Sequence, residues 1–196
     1  MAAPCDDRAY LHPPGGVKVH AVTRLRVRAA AEPRIRRIVG ALARVLPRSA
    51  HVRGDLFRRM VVNGRADMTP DPSDEAIRQL RLRHGLMAAT CEEYFRAGFS
   101  VVAQDIILGD LLTETIALIG ERPLLVVVLA PRPEVVAARE ASRSKSAYAE
   151  WTVAMLDDGL RKQTPRVGLW LDTSDQTAPE TADEILRRAW TEGTIT

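Results

Sequence analysis

Leu124-Leu-Val-Val-Val-Leu-Ala130 is the stretch whose pattern decides the fold. A continuous apolar run rich in β-branched residues predicts a strand covered on both faces. Working outward from it, Pro133 predicts the start of a helix, and Trp151 to Lys162 predicts another. Val167 to Leu171 (VGLWL) predicts a last strand, ending in Asp172-Thr173-Ser174. Thr177-Ala-Pro-Glu180 has capping-box spacing and opens a final helix with Ile185, Leu186 and Trp190 on its apolar side.

The upstream half repeats the alternation. Ser100 to Ala103 (SVVA) predicts a buried strand closed by Gln104-Asp105. Before it, Ser73 or Asp74 caps a helix running to Arg96, with Ile77, Leu80, His84, Met87, Cys91 and Phe95 on one face and Gly98 as the stop. Residues 64–74, rich in Gly, Asp and Pro, read as loop, and His51-Val52 leads a short strand into Arg53-Gly54-Asp55. Pro33 suits the first turn of a helix through Ile38 to Leu46. Val17 to Val22 (VKVHAV) alternates weakly, as a short strand would, and residues 1–16 read as loop or disordered tail.

Strands alternating with helices predict an α/β layered fold with a mostly parallel five-stranded sheet flanked by helices. In such sheets ligands sit at the carboxyl ends of the strands. Asp55, Asp105, Arg132 and Asp172-Thr173 fall at those ends.

Length predicts one domain over 17–196, and 46% hydrophobic residues suffice for a core. No apolar run approaches a membrane span, and Met1 to Tyr10 does not read as a signal peptide. Cys5 and Cys91 form neither a disulfide framework nor a zinc site, which fits a reducing cytoplasm. His12, His20, His51 and His84 lack metal-ligand spacing; His84, on an apolar helix face, reads as a packed histidine. Residues 1–60 carry 13 basic and 4 acidic side chains, the remainder 15 and 21. The arginines between Arg24 and Arg37 would attract a phosphate backbone, but no aromatic residues are interleaved and no recognition-helix motif appears, which argues against nucleic acid.

Three stretches, 51–57 (HVRGDLF), 96–109 (RAGFSVVAQDIILG) and 124–143 (LLVVVLAPRPEVVAAREASR), together with the ending Leu171-Asp-Thr-Ser174, resemble the chloramphenicol-phosphotransferase-like branch of the small P-loop kinases. The resemblance implies a P-loop kinase-like domain using ATP and Mg2+. Asp55 would accept the proton of the acceptor hydroxyl, the other reading being a cap on the following helix. Asp105 would be the strand-end carboxylate on the metal side, or else the start of a turn. Arg139 and Arg143, four apart, would be lid arginines over the phosphates, or a solvated helix face. Arg132, Thr173 and Ser174 would lie along the nucleotide, the last two alternatively forming an ordinary polar turn.

One departure stands out. The sequence holds no G-x-x-x-x-G-K-[ST] motif and no Gly-Lys pair. Only Lys18, Lys145 and Lys162 are available as an essential lysine. Residues 17–37 read as a diverged phosphate-loop region. Ala30 to Arg37 (AAEPRIRR) falls at the expected distance before Asp55 but has no glycine and no lysine; Pro13-Pro-Gly15-Gly16-Val-Lys18 has both but no hydroxyl after the lysine. The expectation is an ATP-dependent O-phosphotransferase acting on a small hydroxylated molecule, antibiotic-like or a metabolite, with reduced nucleotide affinity. The alternative is a non-catalytic ligand- or partner-binding protein of the same fold that has lost nucleotide binding.

Overall fold

A computed structural model of the chain describes residues 18–23, 33–46, 48–141 and 151–196. The elements run β1 (Lys18–Thr23), α1 (Pro33–Val45), β2 (Ser49–Arg53), α2 (Gly54–Met60), α3 (Asp74–Arg96), β3 (Ser100–Asp105), α4 (Leu111–Ala117), β4 (Leu124–Leu129), α5 (Pro133–Ala141), α6 (Val153–Asp158), β5 (Leu169–Leu171), α7 (Ala178–Glu192) and β6 (Thr194–Ile195). A π-helical turn, Gly159–Gln163, continues α6. Among the described residues no helix is long and apolar enough to cross a membrane.

The sheet order is β2-β3-β1-β4-β5, all parallel, with β6 antiparallel to β4. The weakly alternating Lys18–Thr23 is the central strand, hydrogen-bonded on both sides. All six residues of β4 are buried. Side chains alternate across a strand, so β4 feeds two cores. Leu125, Val127 and Leu129 join Ile38, Leu42 and Ile185 beneath α1 and α7. Leu124, Val126 and Val128 join Met87, Cys91 and Leu112 beneath α3 and α4.

Local chemistry sets the ends of the longer helices. Ser73 Oγ accepts from Ala76 N at the start of α3. Thr177 and Glu180 form the reciprocal capping box at the start of α7. Gly168 (φ 74°) enters β5 close to Val126, where a side chain would meet that residue's carbonyl and Cβ. β6 hydrogen-bonds the amino half of β4, pairing Ile195 with Leu124 and Thr194 with Leu125, while β5 pairs the carboxyl half.

Candidate functional site

The carboxyl ends of β2 and β3 bring two carboxylates together. Asp55, in the first turn of α2, binds Arg53 Nη2 at 3.1 Å and Arg59 Nη2 at 3.2 Å, both through Oδ2. Asp105, the last residue of β3, has a side chain only 4% exposed. Its Oδ1 accepts from Arg83 Nη2 at 2.9 Å and from the amide of Ile106 at 2.8 Å. Its Oδ2 is buried without a hydrogen-bond partner, 3.7 Å from the equally unpartnered Nε2 of His84.

Gly54 makes this approach possible. A Cβ there would overlap Oδ2 and Cγ of Asp105 and stand 3.0 Å from its Cβ. Space, not a positive φ, is therefore what requires glycine at this position. Behind Asp105 lies an apolar hollow of about 10 Å³, lined by Met87, Ile107, Leu112, Ile116 and Val126 among others.

Burial dominates the electrostatics. It pushes the Asp105 carboxyl above its ordinary value, a shift opposed by Arg83 and the Ile106 amide and assisted by the nearby Asp55 charge. Burial, with the Arg83 charge alongside, pushes His84 down to about 3; a hydrogen bond to the main chain of Ile106 opposes that shift. His84 is a neutral, packed imidazole on α3, one residue from the guanidinium that neutralises Asp105.

A second cluster lies at the ends of β4 and β5, on the other side of β1. Arg132 makes a two-pronged contact with Asp175 at 3.0 and 2.9 Å, and its amide donates to Ser174 Oγ at 2.7 Å. The Arg132 guanidinium holds the Asp175 carboxyl below the usual range. Asp172 lies 3.6 Å from the same guanidinium and accepts from the hydroxyl of Ser174. From α5, Arg139 donates to the carbonyls of Ser174 (2.6 Å) and Thr173 (3.3 Å). Arg161 donates to the carbonyls of Ala130 and Pro131, tying the π-helical turn to the end of β4.

The carboxyl rim thus carries Asp55 and Asp105 on one side of β1, and Arg132, Arg139, Thr173 and Ser174 on the other. Arg139 binds the β5–α7 turn rather than either carboxylate. Arg143, Gly15 and Gly16 lie outside the described residues. Lys18 must be corrected as a phosphate-loop lysine. It opens β1, in register with Val101 and Leu124, at the strand ends opposite the rim. Gly15 and Gly16 precede it in the chain, so a loop built on them would enter β1 instead of leaving it. The alternative placement at Ala30–Arg37 runs into α1, which begins at Pro33. The connection that leaves the central strand is Arg24–Glu32 (RLRVRAAAE), outside the described residues and without Gly, Lys, Ser or Thr.

Gly54, Arg83 and Arg53 were not singled out by their sequence. The glycine between Arg53 and Asp55 was the one available signal. Arg83 is one of several arginines on α3, and only the packing of that helix against β3 selects it. Among the described residues no three His, Cys, Asp or Glu side chains could hold a metal ion together.

No protein-family model matches the chain, and no curated protein matches it. Solved structures do. The tunicamycin resistance protein of Deinococcus radiodurans is similar at a TM-score of 0.61 and 14% identity, over 93% of this chain and 99% of that one. The Mycobacterium tuberculosis APS kinase CysC, in complex with AMPPNP and APS, gives 0.57 and 16% over 89% and 98%. A sugar kinase from Janibacter sp. HTCC2649 gives 0.57 and 17% over 89% and 94%. At these identities the likeness is one of architecture: the chain shares the fold of these solved structures.

Proposed function

We propose that this protein is a phosphotransferase that moves a phosphoryl group from a nucleoside triphosphate, ATP by the resemblance, to a hydroxyl of a small molecule. The observation that carries it is Asp55, partly exposed at the carboxyl end of β2 and fixed through Oδ2 by Arg53 and Arg59. Both arginines hold the same oxygen, so Oδ1 is the one oriented to take the acceptor's proton as the new O–P bond forms and the bond to the leaving diphosphate breaks. Arg53 and Arg59 hold the base; Arg132, Arg139, Thr173 and Ser174 shape the turn on the nucleotide side. The kinases among the similar structures support this reaction class, and the chloramphenicol-phosphotransferase-like stretches favour an antibiotic-like or metabolite alcohol as acceptor.

Magnesium, which the fold implies, does not fit Asp105. One carboxylate oxygen is bonded to Arg83 and Ile106, and the other is enclosed beside Gly54 and His84.

The test is nucleoside diphosphate release over a panel of hydroxylated acceptors. Acceptor-dependent turnover that falls at least ~10²-fold in Asp55→Asn supports the assignment. An unchanged rate removes Asp55 from the chemistry.

A second reading is a non-catalytic binding protein of the same fold. It is favoured by the composition of Arg24–Glu32, which offers neither the glycines of a phosphate cradle nor a lysine or hydroxyl. Calorimetric titration separates the two, because this reading requires no heat with millimolar ATP from a folded sample.

A further inference from the structure

By the resemblance, Asp105 would be the strand-end carboxylate that P-loop phosphotransferases place on the magnesium side. Here the carboxylate is closed off. Arg83 reaches Oδ1 at 2.9 Å from α3, with a side chain only 15% exposed. The Ile106 amide takes the same oxygen. Oδ2 faces Gly54, where even a methyl group would overlap it, and lies buried 3.7 Å from His84 Nε2. The hollow behind the carboxyl is apolar and about 10 Å³. Magnesium keeps several of its waters when it binds a protein, and a hollow of that size is at the lower limit for a single water.

We infer that Arg83 is the resident counter-cation of Asp105, and that the protein takes up no divalent metal ion at this carboxylate. The pair instead locks α3 to the end of β3 beneath the β2–α2 junction, with a guanidinium supplying the positive charge that a metal would bring. Charge neutralisation by Arg83 is permanent, because a guanidinium does not lose its proton. Any nucleotide that this rim accepts is therefore bound without a metal bridge to Asp105.

Manganese alone, followed by the loss of its free-ion electron paramagnetic resonance signal, tests this on the whole protein. Wild type and Asp105→Asn should take up the same amount of Mn2+ at millimolar concentration, because no site depends on Asp105. Arg83→Met uncovers Oδ1 and should bind more. One equivalent of Mn2+ bound by wild type with submillimolar affinity and lost in Asp105→Asn would overturn the inference. Asn keeps the size and an acceptor for Arg83, so the decisive comparison stands even where Arg83→Met does not fold. The measurement requires no turnover. A protein inactive on every acceptor gives the same readout, and an active one can still fail it.

Discussion

Replacing Gly54 with alanine should destabilise the protein in a way that depends on Asp105. Taken as a helix residue alone, Gly54→Ala would be favourable by up to about 1 kcal/mol, since alanine loses less backbone entropy than glycine. The structure reverses the sign. The added methyl overlaps Oδ2 and Cγ of a carboxylate that has little room to move, because Oδ1 is bonded to Arg83 and Ile106. Overpacking costs about 1–3 kcal/mol. A displaced Asp105 also loses part of a charged hydrogen bond worth about 1.5–3 kcal/mol. The net expectation is a loss of roughly 2–4 kcal/mol. The same substitution in an Asp105→Ala/Arg83→Met background should be close to neutral. There the overlapping atoms are gone, no lone charge is left buried, and only the 3.0 Å approach to Cβ remains. Urea unfolding followed by tryptophan fluorescence gives both sides of the cycle. An effect within about 0.5 kcal/mol of zero in wild type, or an equal loss in both backgrounds, would refute the packing of Gly54 on Asp105.

Stability should fall as pH drops from 6.5 toward 3. The unfolded chain protonates His84 near 6.5, whereas the folded chain keeps it neutral down to about 3. The unfolded state therefore binds more protons through that window, at a limit of about 1.4 kcal/mol per pH unit. Asp105, raised by burial, works in the opposite direction above 3.8; His84→Gln should flatten the measured slope, and an unaltered slope would discount His84. Arg139→Ala should speed amide hydrogen exchange at Ser174 to Gln176 by releasing the carbonyls of Thr173 and Ser174, with little change in α3. Thr177→Ala should cost about 1 kcal/mol in chemical unfolding by removing the capping box of α7.

The architecture was legible where periodicity and capping acted locally. The Leu124–Ala130 run became a strand buried on both faces, Ser73 capped α3, and Thr177 with Glu180 capped α7. Elements whose existence depends on distant partners were harder to see. β6 is two residues long and forms because α7 returns the chain to β4. α4 is seven residues long, and Asp110 makes no side-chain cap at its start. β1 looked marginal because alternation says nothing of the two neighbours that make it central. In the site, strand-end carboxylates were readable as such. Spacing before Asp55 points to residues 30–37 for a phosphate loop and the glycines point to residues 13–18, and register puts Lys18 at the end of the sheet opposite the rim. Arg83 gave no local sign, since its role arises from the packing of α3 against β3.

The pairing of β6 with β4 makes Thr194 and Ile195 a guard for the strand whose six residues are all buried. Ile195 and Thr194 partner Leu124 and Leu125, and Gly193 accepts from the amide of Val126. Trimming the chain back to Glu192 would leave that ladder open beside a run of leucines and valines, the template on which other chains stack. Loss of β6 would therefore surface as insolubility long before it touched the rim where Asp55 sits.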